Sequence, residues 1–189
     1  MGNLLGIECG ATHTVALFEQ EGHVSRAEFG AANLRLLNEK QLAAHLRKIG
    51  KSSPSAEAVV IGMAGARTDA DKQRLQKAIA KVWPKAKATL ATNDLETALA
   101  ADSQRKSGPR VLVLSGTGSC CFGQTADGTT AKLGGWGHIL GDKGSGYEIG
   151  LRALKACVFY LDRDGTWSVL GQRLLRRLQL NAPDQLIDW

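Results

Sequence analysis

The stretch LLGIECGATHTVALFEQEGHVSRAEFG (residues 4–30) decides the fold class. It holds three short apolar segments, at 4–8, 14–19 and 24–29, which are separated by turns of small residues. Short apolar runs joined by tight glycine-containing turns are typical of an antiparallel β-meander. The sequence therefore predicts that the chain opens with three consecutive strands.

Alternating helices and strands are predicted after the meander. Apolar residues at helical spacing follow a predicted cap at Asn38, and residues 58–63 read as a buried strand. The stretch 68–71, Thr-Asp-Ala-Asp, resembles a capping box before a second helix. A further strand ends at Thr92, and a third helix begins from Asn93. The order βββαβαβα predicts an α/β fold with a mixed five-stranded sheet and helices packed on it.

The opening pattern recurs after a polar segment at residues 103–109, which suits a domain boundary. The recurring parts are strand 111–114, turn 115–119, strand 120–124, the hairpin signal Asp127-Gly128 and strand 129–133. Such a repeat predicts two domains, at residues 1–105 and 110–189, the second being the incomplete start of another copy. Two helices, at about 145–160 and 167–180, follow in this copy, with Leu170, Leu174 and Leu178 predicted to point inward.

The composition favours a packed, soluble, cytoplasmic protein. Hydrophobic residues make up 43% of the chain and charged residues 22%, and no apolar stretch approaches the roughly 20 residues of a membrane span. The net charge of +6 comes without a run of like charges, which disfavours nucleic acid as a partner. The four cysteines (Cys9, Cys120, Cys121 and Cys157) have neither C-x-x-C spacing nor a disulfide pattern.

Two turns, Glu8–Thr12 and Ser115–Ser119, occupy matching positions of the repeat and carry glycine and hydroxyl residues. Small side chains let backbone N–H groups approach an anion closely, so a pair of such turns could hold a polyphosphate. The alternative is that each is only a tight hairpin turn. Neither matches the Walker P-loop or the Rossmann fingerprint.

Two polar residues each leave two interpretations open. Asp94, at the passage from a strand to a helix, is either the helix N-cap or a general base kept ionised near the positive end of the helix. Asn33, in the loop Gly30-Ala31-Ala32-Asn33, serves either the turn itself or a sugar hydroxyl.

The segment GGWGHILGDKGSG (residues 134–146) is the most informative part of the chain, with six glycines around Trp, His and Asp. This composition favours a ligand loop, because the backbone can come close while Trp136 offers a face and Asp142 accepts hydrogen bonds. For His138 a structural role is favoured over metal binding, since no second His or Cys lies at ligand spacing.

Four of these segments resemble the N-acetylglucosamine kinases and the broader BadF/BadG/BcrA/BcrD-type ATPase family, within the actin-like ATPase superfamily. They are GIECGAT (6–12), ATND (91–94), LSGTGS (114–119) and GGWGHILGD (134–142). The resemblance runs from Leu4 to about Tyr160. It implies a ribonuclease-H-like pair of domains with nucleotide and sugar in the cleft between them.

The resemblance also implies ATP-dependent phosphorylation of the 6-hydroxyl of N-acetylglucosamine or a related amino sugar. By position, Asp94 would be the catalytic base, and Glu8 would help to place Mg²⁺ through water. The implied phosphate-binding residues are Gly10, Ala11, Thr12, Gly116, Thr117, Gly118 and Ser119. The implied sugar-binding residues are Asn33, Asp94, Thr117, Gly135, Trp136 and Asp142. The implied partners are ATP and the amino sugar, without nucleic acid or membrane, and a homodimer is one option.

The sequence departs from the family pattern in its first turn. Cys9 and Ala11 replace glycines, and His13 stands where Lys or Arg is frequent, which predicts looser phosphate binding. The family also continues beyond the length of this chain. Two alternatives stay open: an ATPase activator of a radical dehydratase or reductase, which would need cysteines for an iron–sulfur cluster, and a non-catalytic sugar- or nucleotide-binding module.

Overall fold

A computed structural model describes residues 2–101 and 108–189 of the chain. The chain forms two compact units, the first from Met1–Leu112 and Phe122–Thr130, the second from Val113–Cys121 and Ala131–Trp189. The predicted boundary segment, 103–109, lies outside the described residues except for its last two. The predicted domain limits, 1–105 and 110–189, therefore stay predictions.

The first unit is built on a five-stranded sheet with the order β3-β2-β1-β4-β5. Its strands are β1 (Leu4–Cys9), β2 (His13–Gln20), β3 (His23–Gly30), β4 (Ala58–Met63) and β5 (Ala88–Thr92). β1 pairs antiparallel with β2 and parallel with β4, which in turn pairs parallel with β5. The predicted mixed five-stranded α/β sheet is confirmed, and the opening meander forms its antiparallel half.

Two helices cover one face of this sheet, α1 (Glu39–Gly50) and α2 (Asp69–Val82). The predicted caps are confirmed, since Asn38 and Thr68 both form complete capping boxes. The apolar stripes of the helices and the alternate residues of the strands make one core. Its members include Leu5, Ile7, Leu42, Leu46, Ile49, Val59, Ile61, Leu75 and Ile79. Burial of each such side chain contributes roughly 1.5–3 kcal/mol, so this core holds the sheet and the two helices together.

A third helix, α3 (Asp94–Ala100), packs on β4 from the other face. Successive residues of a strand face opposite sides of the sheet. Gly62 therefore lies on the face opposite to the core that contains Ile61. A Cβ added at Gly62 would lie 2.2 Å from Oγ1 of Thr97. The helix thus approaches the strand so closely that only glycine fits between them.

A three-stranded sheet of order β6-β7-β8 follows, formed by β6 (Arg110–Ser115), β7 (Ser119–Gln124) and β8 (Thr130–Gly134). The hairpin at Asp127-Gly128 is confirmed, with Gly128 at φ +88 and Thr125 N–H donating to Thr129 O. The remaining elements are α4 (Gly137–Leu140), α5 (Gly146–Asp164), α6 (Val169–Leu178) and a 3₁₀ turn at Pro183–Leu186. Within the described ranges, no helix is long and apolar enough to cross a membrane.

The prediction for the inward face of α6 is partly wrong: Leu174 and Leu178 are partly buried as predicted, but Leu170 is not. Gly171 and Leu175 are the buried residues of this helix, whereas Leu170 is half exposed. A Cβ added at Gly171 would lie 2.5 Å from Cε2 of Trp167, so the indole lies directly against this glycine. The contact turns the Gly171–Leu175 side of the helix inward.

Candidate active site

The carboxyl ends of the parallel strands β1, β4 and β5 meet at one edge of the first unit. In the last shared row of pairs, Glu8 lies opposite Gly62, and Gly62 lies opposite Thr92. The turn Gly10–Thr12 leaves β1 at this edge, and Asp94 begins α3 just after β5. The fold therefore places the first predicted phosphate turn and the predicted base at the same edge, where α/β sheets bind ligands.

Asn33 is brought to the same edge by a parallel bridge to Ala64, directly after β4. Its Oδ1 accepts the N–H of Arg35 at 3.0 Å, which is the hydrogen bond of an Asx-turn. A Cβ added at Gly65 would lie 2.2 Å from this same oxygen, so the turn packs tightly against the backbone. The turn interpretation of Asn33 is confirmed, and a sugar contact through its Nδ2 stays a prediction.

The first phosphate turn presents two successive amides. The N–H of Gly10 donates to His13 O at 2.9 Å, and Gly10 O accepts from Ala32 N at 3.1 Å. The exposed Ala11 and Thr12 make no backbone N–H hydrogen bond with any residue in the ranges 2–101 and 108–189. Adjacent unpaired amides in a tight turn form a concavity that binds anions. The geometry therefore suits a phosphate oxygen at this turn.

The two unusual residues beside this turn have structural partners. Oγ1 of Thr12 lies 3.1 Å from Nδ1 of His13, so the histidine contacts the turn without bringing the fixed charge of a Lys or Arg. Cys9 is fully buried on the core side of β1, where burial raises the pKa of its thiol to about 12. A neutral buried thiol is a poor cluster ligand, and Cys157 is buried as well. These positions disfavour the iron–sulfur alternative.

The start of α3 separates two roles that the sequence left open. Oδ1 of Asn93 accepts the N–H of Glu96 at 2.8 Å, so Asn93 is the N-cap, and the interpretation of Asp94 as the cap is wrong. Asp94 is the first helical residue, and its side chain is half-buried. A carboxylate in the first turn of a helix is stabilised in its ionised form by the unpaired N–H groups there.

The orientation of α3 is fixed by contacts on both sides. Nζ of Lys72 in α2 binds both carboxylate oxygens of Glu96, at 2.8 and 3.1 Å. Oγ1 of Thr97 donates to the carbonyl of Asp94 at 2.9 Å and faces Gly62 of β4. Asp94 is thereby held at the sheet edge by a helix that is pinned to a strand and to a neighbouring helix.

The second phosphate turn lies in the second unit, at Ser115–Ser119. The N–H of Gly116 donates to Gly118 O at 2.9 Å, and the N–H of Ser119 donates to Oδ1 of Asp142 at 3.2 Å. The amides of Thr117 and Gly118 make no hydrogen bond within the described parts of the chain. This turn, like the first, therefore presents a pair of adjacent free amides.

The hydroxyls of this turn are engaged with the glycine-rich segment. Oγ of Ser119 donates to Lys143 O at 2.7 Å, and Oγ of Ser115 donates to Gly144 O at 3.1 Å. These two hydrogen bonds anchor the turn to the glycine-rich segment.

The glycine-rich segment itself contains a short helix that the sequence did not predict, α4 (Gly137–Leu140). Trp136 precedes it with 73% of its surface exposed, as a ligand-facing indole requires. A Cβ added at Gly141 would lie 3.1 Å from Cβ of Trp136, so this glycine makes room for the tryptophan. Gly135 adopts φ +68, which favours glycine. The ring of His138 packs edge-on against Tyr147, with 4.9 Å between the ring centroids.

Glu148 is a site-supporting residue that the sequence reasoning missed. Its Oε2 accepts the N–H of Gly144, and this hydrogen bond, with Arg152 beside it, holds the pKa of Glu148 below its usual value. Ser145 caps α5 by accepting the N–H of Glu148 at 3.1 Å. The Ser-x-x-Glu spacing from 145 to 148 is the capping-box signal that could have identified it.

Comparison with known proteins agrees with this geometry. Residues 5–169 match the BadF/BadG/BcrA/BcrD ATPase family, a range that includes all four motifs. The chain belongs to this family. The resemblance predicted from the motifs is therefore confirmed, together with the actin-like ATPase fold class.

Two curated relatives are similar over most of the chain. The N-acetylmuramic acid/N-acetylglucosamine kinase of Clostridium acetobutylicum is 39% identical over 144 residues, which cover 76% of this chain and 46% of that protein. The N-acetyl-D-glucosamine kinase of Dictyostelium discoideum is 33% identical over 131 residues, covering 69% of this chain and 41% of that protein. The matched region of this chain thus covers less than half the length of each of these two relatives.

A solved structure shares the fold. A presumed N-acetylglucosamine kinase from Porphyromonas gingivalis superposes with a TM-score of 0.74 at 23% identity. The match covers 97% of this chain and 64% of that one, so nearly every described element has a counterpart.

Proposed function

We propose that this protein is an ATP-dependent kinase that transfers phosphate to the 6-hydroxyl of N-acetylglucosamine or a related amino sugar. The observation that carries the proposal is the matched pair of turns, each with two adjacent free amides at the same place in a repeated meander. The names of the curated relatives support an amino sugar as the acceptor. A cytoplasmic location belongs to the same proposal, since ATP is available there.

Asp94 is proposed as the general base. Phosphoryl transfer needs little covalent help from a protein, so the main tasks are to position the hydroxyl and to neutralise charge. The ionised carboxylate of Asp94 takes the proton of the sugar 6-hydroxyl. At the same time the oxygen of that hydroxyl forms a bond to the γ-phosphorus of ATP. The bond from that phosphorus to the β,γ-bridging oxygen breaks, and ADP leaves. The half-buried position of Asp94 at the sheet edge supports this role.

The free amides are proposed to bind and orient the phosphate oxygens. Ala11 and Thr12 supply two N–H groups in the first turn, and Thr117 and Gly118 supply two in the second. Main-chain donors fixed in advance stabilise developing charge without reorganising. Gly10, Gly116 and Ser119 belong to this set as shaping residues, because their own amides already hold the turns closed.

Mg²⁺ is proposed as the cofactor, with Glu8 as the protein group nearest to it. Glu8 is exposed near the end of β1, and one of its oxygens would lie 3.7 Å from a Cβ at Gly10. Groups of three potential ligands are absent from the part of the chain that the structure describes. A single carboxylate fits Mg²⁺, which keeps several waters and binds mainly to substrate phosphates. When bound, the ion supplies charge neutralisation at those phosphates.

The sugar is proposed to lie against the glycine-rich segment. The exposed indole of Trp136 offers an apolar face for the ring, and Gly135 allows close approach of the backbone. Thr117 and Asp142 provide a hydroxyl and a carboxylate for the sugar hydroxyls. The side-chain amide of Asn33, whose Oδ1 accepts from Arg35, offers its Nδ2 as a further donor at the edge that carries Asp94.

A direct test combines turnover with binding. The chain is incubated with ATP, Mg²⁺ and each of N-acetylglucosamine, glucosamine, N-acetylmannosamine and N-acetylmuramic acid, and release of ADP is followed in a coupled assay. Sugar-dependent ADP release with at least one amino sugar is the expected result. Calorimetry with the same sugars separates the remaining outcomes. Binding without turnover favours the non-catalytic binding module, and the absence of both contradicts the proposal.

A further inference from the structure

Asp142 lies directly against the second phosphate turn. Its Oδ1 accepts the N–H of Ser119 at 3.2 Å. A Cβ added at Gly118 would lie 2.9 Å from Oδ2 of Asp142 and 3.1 Å from its Cγ. The carboxylate therefore occupies the space that any side chain at position 118 would need. The glycine in the turn and the acid in the loop fit one another.

Further hydrogen bonds join the same two segments. Ser119 Oγ donates to Lys143 O at 2.7 Å, and Ser115 Oγ donates to Gly144 O at 3.1 Å. The N–H of Gly146 donates to Gly116 O at 2.8 Å. Ser115, Gly116 and Ser119 of the turn are thus all hydrogen-bonded to residues 142–146. If residues 142–146 move, the turn must therefore move with them. The Thr117 and Gly118 amides are the part of the turn that remains available to an anion.

The backbone of Asp142 is itself unusual. Its φ is +54, in the left-handed region that few residues other than glycine adopt, although Asp tolerates it better than most. Unusual backbone geometry of this kind concentrates at ligand sites and switch regions. Here it points the carboxylate at the phosphate turn.

We propose that Asp142 is a positioning residue that couples occupancy of the sugar site to the geometry of the phosphate turn. The inference rests on the proposed function, because it takes the Trp136 side of the loop as the sugar face. A carboxylate has acceptor capacity beyond the one hydrogen bond from Ser119. A sugar hydroxyl that donates to Asp142 fixes the carboxylate, which fixes the Ser119 amide and with it the free amides of the turn. Sugar and nucleotide then each strengthen the binding of the other by the same factor.

Three substitutions and one control test this coupling. Asp142→Gly removes the carboxylate and adopts φ +54 without strain, whereas Asp142→Asn keeps an acceptor oxygen in the same place. Gly118→Ala leaves Asp142 in the chain, but the added methyl group takes the space that the carboxylate of Asp142 occupies. Gly150→Ala is the matched control, because a Cβ at this position of α5 meets nothing within 4 Å.

The first readout needs no ligand. Hydrogen exchange of the Ser119 amide is measured by NMR on the whole chain and its variants. Loss of a hydrogen bond to a charged acceptor should speed exchange at least about tenfold in Asp142→Gly and Gly118→Ala. Exchange in Gly150→Ala should match the unmodified chain, and exchange in Asp142→Asn, which keeps a neutral acceptor oxygen, should lie between the unmodified chain and Asp142→Gly. Equal Ser119 exchange in the unmodified chain and Asp142→Gly would overturn the positioning role.

The second readout is calorimetry with a non-hydrolysable ATP analogue and Mg²⁺, with and without N-acetylglucosamine. The sugar should tighten nucleotide binding at least about fivefold in the unmodified chain and in Gly150→Ala. In Asp142→Gly and Gly118→Ala the factor should fall to about one. If the sugar binds but leaves the nucleotide affinity unchanged, the coupling between the two sites is overturned, whereas the positioning of the turn by Asp142 is not. Absence of sugar binding contradicts the proposed function, while Ser119 exchange still decides whether Asp142 positions the turn.

Discussion

The side-chain oxygen of Asn93 accepts the N–H of Glu96 at 2.8 Å and so begins α3 one residue before Asp94. The residue proposed as the base is therefore neither the cap nor a loop residue. It is the first residue of a helix whose start is fixed by its neighbour, Asn93.

Replacement of Asp94 by Asn should lower kcat by at least about 10²-fold, the low end of what a lost general base costs. The amide keeps the shape of the side chain but cannot take the proton of the 6-hydroxyl. The coupled ADP assay measures the effect, and Asp162→Asn on the exposed side of α5 is a matched control. Near-normal turnover in Asp94→Asn would remove this residue from the chemistry.

Replacement of Asn93 by Ala should destabilise the first unit by about 1 kcal/mol, the usual effect of a lost N-cap. Without the cap the first turn of α3 frays, so kcat should fall as well because Asp94 is no longer held. Urea denaturation measures the stability, and Asn93→Ser, which restores a capping oxygen, should recover most of the loss. If Ala and Ser at this position are equally stable, the cap is not what orders the helix.

Replacement of Gly62 by Ala should cost roughly 1–3 kcal/mol of stability through overpacking, since its Cβ would lie 2.2 Å from Oγ1 of Thr97. Gly6→Ala on β1 is the matched control, because a Cβ there meets nothing within 4 Å. The double variant Gly62→Ala with Thr97→Ala should regain part of the loss. A Gly62→Ala chain as stable as Gly6→Ala would contradict the close packing of α3 on β4.

The buried thiol of Cys9 should make stability fall at alkaline pH. Burial raises the pKa of Cys9 from 9.0 to about 12, so the unfolded chain loses this proton first as the pH rises. Below pH 9 the thiol is protonated in both states and the free energy of unfolding is unaffected by its titration. Between pH 9 and 12 the free energy of unfolding falls by up to about 1.4 kcal/mol per pH unit. Urea denaturation across this range should show a steeper decline for the unmodified chain than for Cys9→Ala. Parallel curves would mean that the thiol ionises alike in both states.

Local patterns predicted much of the fold. The three strands at residues 4–30 and the capping boxes at Asn38 and Thr68 each depend on residues close together in sequence, which is why they could be predicted. The inward face of α6 was predicted only in part: Leu174 and Leu178 are partly buried, but the packing of Trp167 against Gly171 leaves Leu170 half exposed. Apolar spacing alone allowed more than one face of that helix.

The candidate site was predictable as a set of residues but not as a set of contacts. Asn and Asp are equally good caps, so the sequence had no means of deciding between Asn93 and Asp94. The contact of Asp142 with Ser119 joins residues 23 apart in the chain and depends on a left-handed backbone at Asp142. Such a contact is a product of the tertiary fold, and composition indicated only that the segment would bind something.

Neither of the two turns carries a basic side chain at the positions that present free amides, Ala11 and Thr12 in one and Thr117 and Gly118 in the other. Amide dipoles can orient an anion, but they leave its formal charge uncompensated. A triphosphate recognised in this way brings its full negative charge with it. A dication bound with the triphosphate would supply part of the compensating charge, so nucleotide affinity should rise with divalent-cation concentration.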